Sequence, residues 1–192
     1  MTLAEGEDLN DLFKFSRDER LPVAENSATS PDVLLRLARA NYWLVRCRVA
    51  SNPSTPARAL RFLAKEDGDW RVRLAVAKNS ATPAEVLQMM TERSERRDVL
   101  CEIGANPHTP ADVLMYLAGD EYWPIRKWVA TNPSTSSALL IALGKDRTPA
   151  VRVAVAGNRS TPRAALDKLL KSRVEEVQNA ARENIASRRL RF

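Results

Sequence analysis

Apolar positions recur along this chain at a fixed period. Segments aligned on a recurring asparagine follow one another every 26 or 27 residues. The seven asparagines are Asn26, Asn52, Asn79, Asn106, Asn132, Asn158 and Asn184. A period of this length indicates a repeat protein.

Each repeat predicts two short helices. Leu or Met stands eight and eleven residues after the asparagine, as in Leu60 and Leu63, and forms one apolar stripe on a helix of about ten residues. Thr55 followed by Pro56 predicts the N-cap and the first residue of that helix. After a polar turn, an i, i+4 pair such as Val72 and Val76 predicts a second helix, α or 3₁₀, which ends where asparagine meets proline.

A single helix pair cannot bury its apolar stripe, so the repeats must stack on one another. The sequence therefore predicts an all-α fold without β-sheet, an α-solenoid in which about six two-helix repeats form a superhelix. Residues 1–22 predict an acidic cap with a half repeat, and residues 181–192 a C-terminal cap with a basic tail. The predicted repeats are 23–48, 49–75, 76–102, 103–128, 129–154 and 155–180 within the span 23–180.

Repeat three departs from this pattern. Its inter-helix segment, residues 91–98, contains no glycine, and Leu100 stands where most copies carry arginine. This irregularity indicates a local break in the stack or a bend.

The motif that runs from Val49 through Asn52, Pro53, Thr55 and Pro56 to Leu60, Leu63, Asp67, Val72 and Arg73 resembles the leucine-rich repeat variant family. The resemblance covers about residues 20–187 and implies a superhelix related to HEAT and armadillo solenoids. Some relatives carry an N-terminal cysteine cluster that holds an iron–sulfur centre. Residues 1–46 contain no cysteine, so that activity is not expected here.

Charge is unevenly distributed along the 192 residues. The net charge is +6, but residues 1–25 hold three basic and seven acidic residues, which gives −4 there and +10 over the remainder. No apolar run is long enough to cross a membrane, and Cys47 and Cys101 lie two repeats apart, too far for a disulfide. We expect a cytoplasmic monomer without a membrane anchor.

An arginine inside the second helix follows an aspartate in the preceding turn by six residues. The pairs are Asp67 and Arg73, Asp120 and Arg126, and Asp146 and Arg152. By resemblance to HEAT-like repeats, these residues would form a hydrogen-bonded ladder between neighbouring units. The asparagine column is expected to close Asx turns between repeats. The residues with predicted structural roles are Asn52, Asn79, Asn106, Asn132, Asn158, Asp67, Asp120 and Asp146.

A second interpretation makes the same arginines part of an interface. Trp43, Trp70 and Trp123 each precede a repeat arginine by three residues, so the guanidinium could stack on the indole. Trp and Arg are enriched at interface hot spots. The candidate partner-binding residues are Trp43, Arg46, Trp70, Arg73, Trp123, Arg126 and Arg152.

Two functions follow from these residues. The first is a non-catalytic scaffold that binds another protein on the curved face lined by second helices. The alternative is nucleic-acid binding through an Arg/Trp-lined basic surface, which would use Arg71 together with Arg46, Arg73, Arg126 and Arg152.

Enzymatic activity, a metal site and a cofactor are not expected. The chain has one histidine, His108, two separated cysteines, and neither a Gly-rich phosphate loop nor a nucleophile elbow. A lone catalytic aspartate in the groove, as in HEAT-like DNA glycosylases, is left open by the sequence.

Overall fold

The computed structural model describes residues 16–93 and 96–189, and all regular structure in these residues is α-helical. The all-α prediction is confirmed. The chain divides into two compact units, Met1–Ser94 and Glu95–Phe192, and the division falls inside the irregular segment of repeat three. The predicted N-terminal cap lies mostly outside the described residues.

Unit one contains six helices among its described residues. They are α1 (Arg17–Glu25), α2 (Pro31–Leu37), α3 (Trp43–Ser51), α4 (Ala57–Glu66), α5 (Trp70–Lys78) and α6 (Ala84–Arg93). The second helices α3 and α5 pack side by side, and α1 packs on the other side of α3. α1 therefore packs on α3 as one second helix packs on the next.

Unit two repeats the same arrangement. Its described helices are α7 (Arg97–Ala105), α8 (Ala111–Leu117), α9 (Trp123–Thr131), α10 (Ser137–Leu143), α11 (Pro149–Gly157), α12 (Arg163–Leu169) and α13 (Glu175–Arg189). The second helices α7, α9, α11 and α13 form a continuous stack, and the first helices α8, α10 and α12 each pack against the second helix that follows. The second helices are α rather than 3₁₀.

The core consists of the positions that the periodicity predicts. Leu60 and Leu63 of a first helix are fully buried, as are Val72 and Val76 of the second helix that follows. The equivalent leucines and β-branched residues of the other repeats are at most 5% exposed. Burial of these side chains drives the helices of each unit together, at roughly 1.5–3 kcal/mol per large side chain.

The repeat asparagines connect neighbouring repeats. Asn158 Oδ1 accepts a hydrogen bond from Ser160 N at 2.8 Å, which is the predicted Asx turn. Its Nδ2 also donates to Ala130 O at 2.8 Å and to Asn132 O at 2.9 Å in the preceding repeat. Asn52, Asn79, Asn132 and Asn184 make the same pair of bonds to carbonyls 26 to 29 residues earlier. We call these four residues together with Asn158 the asparagine ladder.

The repeat threonines do not act as the predicted N-caps. Thr135 Oγ1 donates to Val129 O at 2.6 Å, and Thr161 Oγ1 donates to Val155 O at 2.6 Å. The hydroxyl thus satisfies a carbonyl in the last turn of the preceding second helix, one of the carbonyls that a helix end leaves without a partner. The N-cap of α4 is Pro56 and not Thr55, whose hydroxyl bonds Val49 O instead.

Candidate functional site: the second-helix surface

The second helices carry all of the sequence-predicted site residues that could contact a partner. Their valines and isoleucines face the core, while their first residues and those of the opposite face reach the surface. Among the described residues, no helix is both long and apolar enough to span a lipid bilayer.

In unit one, the rings of Trp43 and Trp70 lie beside Arg71. Its guanidinium carbon lies 4.4 Å from the ring centroid of Trp43 and 5.7 Å from that of Trp70. Trp43 is 38% exposed and Tyr42 beside it is 49% exposed. We call Tyr42, Trp43, Trp70 and Arg71 the unit-one aromatic cluster. The sequence placed Trp43 under Arg46 of its own helix, whereas the structure covers it with an arginine of the next repeat.

In unit two, a second group of exposed aromatic residues lies on and beside α9. Trp123 and Trp128 are 41% and 40% exposed, and Tyr122 directly precedes the helix. The Arg97 guanidinium lies 4.7 Å from the Tyr122 ring centroid, and Lys127 Nζ lies 5.8 Å from that of Trp128. We call these five residues the unit-two aromatic cluster.

Each repeat arginine anchors the loop that leads into its own helix. Arg46, Arg73, Arg126 and Arg152 each donate through Nη1 to the main-chain carbonyl six residues earlier, at 2.6 to 2.8 Å. Gln178, which takes the place of arginine in α13, donates to Ser172 O at 2.6 Å in the same way. Arg73, Arg126 and Arg152 therefore do contact the aspartate of their own repeat, but they bond its main-chain carbonyl and not its carboxylate.

The aspartate carboxylates are bound from the preceding repeat. Arg126 donates through Nε and Nη2 to the two oxygens of Asp146, at 2.7 and 3.0 Å. Arg46 makes the same two-pronged contact with Asp67, at 2.5 and 3.0 Å. The ladder between neighbouring repeats that the sequence predicted thus joins Arg46 to Asp67 and Arg126 to Asp146. Within a repeat, the arginine reaches only the main-chain carbonyl of its aspartate. The charged partner of each bound carboxylate is the arginine 20 or 21 residues earlier.

Burial and hydrogen bonding shift the pKa values of the groups in these pairs. The Asp67 side chain is 2% exposed and that of Asp146 is 8% exposed. Burial by itself would raise the pKa of Asp146, but hydrogen bonds from Arg126 and from the Thr148 amide lower it below its usual value. The pKa values of Arg46 and Arg126 are raised, mainly by their bonds to Asp67 and Asp146.

Among the described residues of unit two, one aspartate lacks the arginine that would bind its carboxylate, and one arginine lacks the aspartate. Asp120 accepts a bond from Tyr122 N at 2.7 Å, but Leu100 takes the place from which an arginine would reach its carboxylate. Arg152 bonds Asp146 O and Arg147 O, and the residue 20 positions further along is Ser172. The position that would pair with Arg73 is Ser94, which lies outside the described residues.

The two cysteines are free thiols. Burial raises the pKa of Cys101 to about 11 and also raises that of Cys47, so neither forms a thiolate readily near neutral pH. Within residues 16–93 and 96–189, no group of three or more His, Cys, Asp or Glu side chains is placed to hold a metal ion.

Sequence reasoning missed several exposed aromatic and apolar residues. Trp128 and Tyr122 have no equivalent in most repeats, so the repeat pattern gave no reason to select them. On the first-helix side of unit two, Tyr116 is 70% exposed and Met115 is 66% exposed. Met115 also lines a groove of about 430 Å³ between α8 and α10.

Helix pairs stacked through shared asparagine and arginine bonds define an α-solenoid repeat protein. Residues 102–159 match the family model described as the Leucine Rich Repeat Variant domain. The fold is similar to a solved structure described as a leucine-rich repeat variant with a novel repetitive structural motif, with a TM-score of 0.53 at 20% identity, covering 95% of this chain and 89% of that one. The family match over residues 102–159 bears out the resemblance to the leucine-rich repeat variant family that the repeat motif indicated.

A second solved structure, that of YibA from Escherichia coli, gives a TM-score of 0.41 at 16% identity, with 98% of this chain and 77% of that one covered. The search of curated proteins returned no match.

Proposed function

We propose that this protein is a non-catalytic repeat scaffold that binds another protein through its second-helix surface. The observation that carries the proposal is the exposure of Trp43, Trp123 and Trp128, each close to 40%. Indoles exposed to this degree on rigid helices gain free energy when a partner covers them, and tryptophan is enriched among interface hot spots.

The chemistry of the remaining polar groups supports a scaffold rather than an enzyme. The carboxylates of Asp67 and Asp146 are already occupied by arginines, and the thiol of Cys101 stays protonated near neutral pH. The side-chain amides of the asparagine ladder are hydrogen-bonded to main-chain groups. The carboxylates and the asparagines hold neighbouring repeats together, and neither they nor the thiol have much capacity left for acid–base or nucleophilic chemistry.

Nucleic-acid binding remains the alternative. Arg71 favours it, because an exposed guanidinium beside two indoles can contact phosphate and base together. Its carboxylate contact in the described part of the chain, to Asp69 Oδ2, is 3.7 Å long. Arg46 and Arg126 favour it less, since Asp67 and Asp146 already neutralise them.

Affinity capture tests the proposal. The immobilised wild type is compared with a variant carrying Trp43→Ala, Trp70→Ala and Trp123→Ala, and with Tyr116→Ala as a control that removes an exposed aromatic ring from the first-helix side. The proposal expects the triple variant to lose a protein that wild type and control retain. Identical partner sets for all three would contradict it. Because Trp70 is half-buried, thermal melting is used to show that the triple variant is folded.

A gel shift tests the alternative. At about 50 mM salt and micromolar protein, even non-specific nucleic-acid binders form complexes, and binding weakens steeply as salt rises. A salt-sensitive shift that Arg71→Ala weakens would support nucleic-acid binding, and the absence of any shift would remove it.

A further inference from the structure

Arg152, the arginine of repeat five, makes the same bond to its loop carbonyl as Arg46 and Arg126, but no carboxylate of the described residues binds it. Arg126 and Arg152 both donate through Nη1 to the carbonyl six residues earlier, at 2.7 and 2.6 Å. Arg126 also places Nε and Nη2 on Asp146. The Nε and Nη2 atoms of Arg152 make no hydrogen bond or ion pair with any residue in the described part of the chain.

Ser172 occupies the place of the missing carboxylate. It follows Arg152 by 20 residues, the same separation that joins Arg126 to Asp146. Ser172 Oγ accepts from the amide two residues later, Val174 N, as Asp146 Oδ1 accepts from Thr148 N. The Ser172 carbonyl accepts from Gln178 as the Asp146 carbonyl accepts from Arg152. Serine thus keeps the turn but is too short to reach the guanidinium.

We propose that Arg152 forms a carboxylate-binding site, in which a carboxylate from outside the chain takes the position that Asp146 takes against Arg126. A guanidinium binds a carboxylate best through two parallel N–H donors, and here the first nitrogen is already fixed by the loop carbonyls, so little side-chain freedom is lost on binding. The ligand class is therefore a carboxylate, either a small free acid or an acidic side chain of a peptide.

Neighbouring charges strengthen this site without completing it. Lys171 and Arg173 flank Ser172 and are exposed, as is Arg147 beside Asp146. Glu175 and Glu176 in the first turn of α13 are also exposed and partly offset that positive charge. The site is independent of the two aromatic clusters, so its failure and the failure of the proposed function are distinguishable.

An NMR titration that observes the arginine Nε–H resonances tests the site. Acetate and, separately, a blocked peptide of alternating Asp and Glu are the probes, with sodium chloride at equal ionic strength as the reference. We expect the Arg152 signal to shift saturably with both carboxylates, while Arg46 and Arg126, which already hold aspartates, stay in place. Tighter binding of the peptide by about tenfold or more assigns the site to acidic peptides, and equal binding per carboxylate assigns it to free acids.

Two variants make the test specific. Ser172→Asp should supply the carboxylate from within the chain, shift the Arg152 signal in advance and abolish its response to acetate. Arg152→Gln copies Gln178, which keeps the loop contact, and should lose carboxylate binding while the fold persists. A response of Arg152 no larger than that to chloride, or one that Ser172→Asp leaves unchanged, would overturn the proposal.

Discussion

At the scale of single residues, side chains that cross between repeats determine which substitutions the protein tolerates. Asn158 satisfies two buried carbonyls of the preceding repeat and one amide of its own turn. Asn26, at the start of the same sequence column, makes the turn contact through its Oδ1 but lies in the first full repeat and is only half-buried. The two residues are identical in type and differ in what they bridge.

Replacing Asn158 with Ala should cost about 2–3 kcal/mol of unfolding free energy, because two buried carbonyls lose their donor. The matched change Asn26→Ala should cost less than about 1 kcal/mol, since it removes one turn bond. Urea denaturation of both variants measures the difference. Equal losses would mean that the bonds between repeats contribute nothing beyond the turn.

The carboxylate of Asp146 predicts a specific dependence of stability on pH. Because its pKa is lower in the folded than in the unfolded protein, its pairing stabilises the fold above the unfolded-state pKa and is lost as pH falls through the folded-state pKa. Wild type should therefore be more stable than Asp146→Asn near pH 6, and the gap should shrink towards pH 3. Urea denaturation at the two pH values checks this, and a constant gap would contradict it.

At the scale of helices and loops, the sequence predicted which positions are buried better than it predicted which side chains contact each other. The positions of Leu60, Leu63, Val72 and Val76 follow from apolar periodicity alone, because burial of one helix face is a local property. The role of Thr55 was wrong, since its spacing suits both an N-cap and a bond back to the preceding helix. Only the path of the chain decides between them.

The Trp–Arg stacking predicted for Trp43 and Arg46 was wrong for an energetic reason. A spacing of three residues considers one helix, but Arg46 has a carboxylate and two carbonyls within reach in three dimensions. Charged hydrogen bonds of this kind are worth about 1.5–3 kcal/mol, against about 0.5–1 kcal/mol for an exposed cation–π contact. The stronger contacts orient Arg46, and Trp43 is left for Arg71.

The two contacts of a repeat arginine, its ion pair with aspartate and its bond to the loop carbonyl, can be tested separately. Gln178 shows that glutamine preserves the anchor, so Arg126→Gln should lose only the contacts that arginine adds, mainly those to Asp146. We expect a loss of about 3 kcal/mol, because a buried carboxylate is left without its partner. Arg152→Gln, which has no carboxylate to abandon, should cost under about 1 kcal/mol. Thermal or urea unfolding that ranks the two variants in the opposite order would contradict this assignment.

At the scale of the whole molecule, the residues that recur in every repeat hold the fold together, and the proposed binding residues are among those that differ between repeats. The buried positions and the asparagine ladder recur with little change, whereas the aromatic clusters occur once in each unit. Trp128 exists in one repeat only, so no periodic structural requirement accounts for it. Sequence periodicity could not select Trp128, because its exposure becomes visible only in the folded chain.

Site-specific photo-crosslinking tests most directly whether the second helices carry the binding surface. A benzoylphenylalanine is placed at Trp128 in one variant and at Tyr116 on the first-helix side in another, and both are irradiated in cells that naturally make the protein. The account predicts a discrete protein adduct from position 128 that position 116 does not give. Adducts from position 116 alone, or the same adducts from both positions, would contradict it.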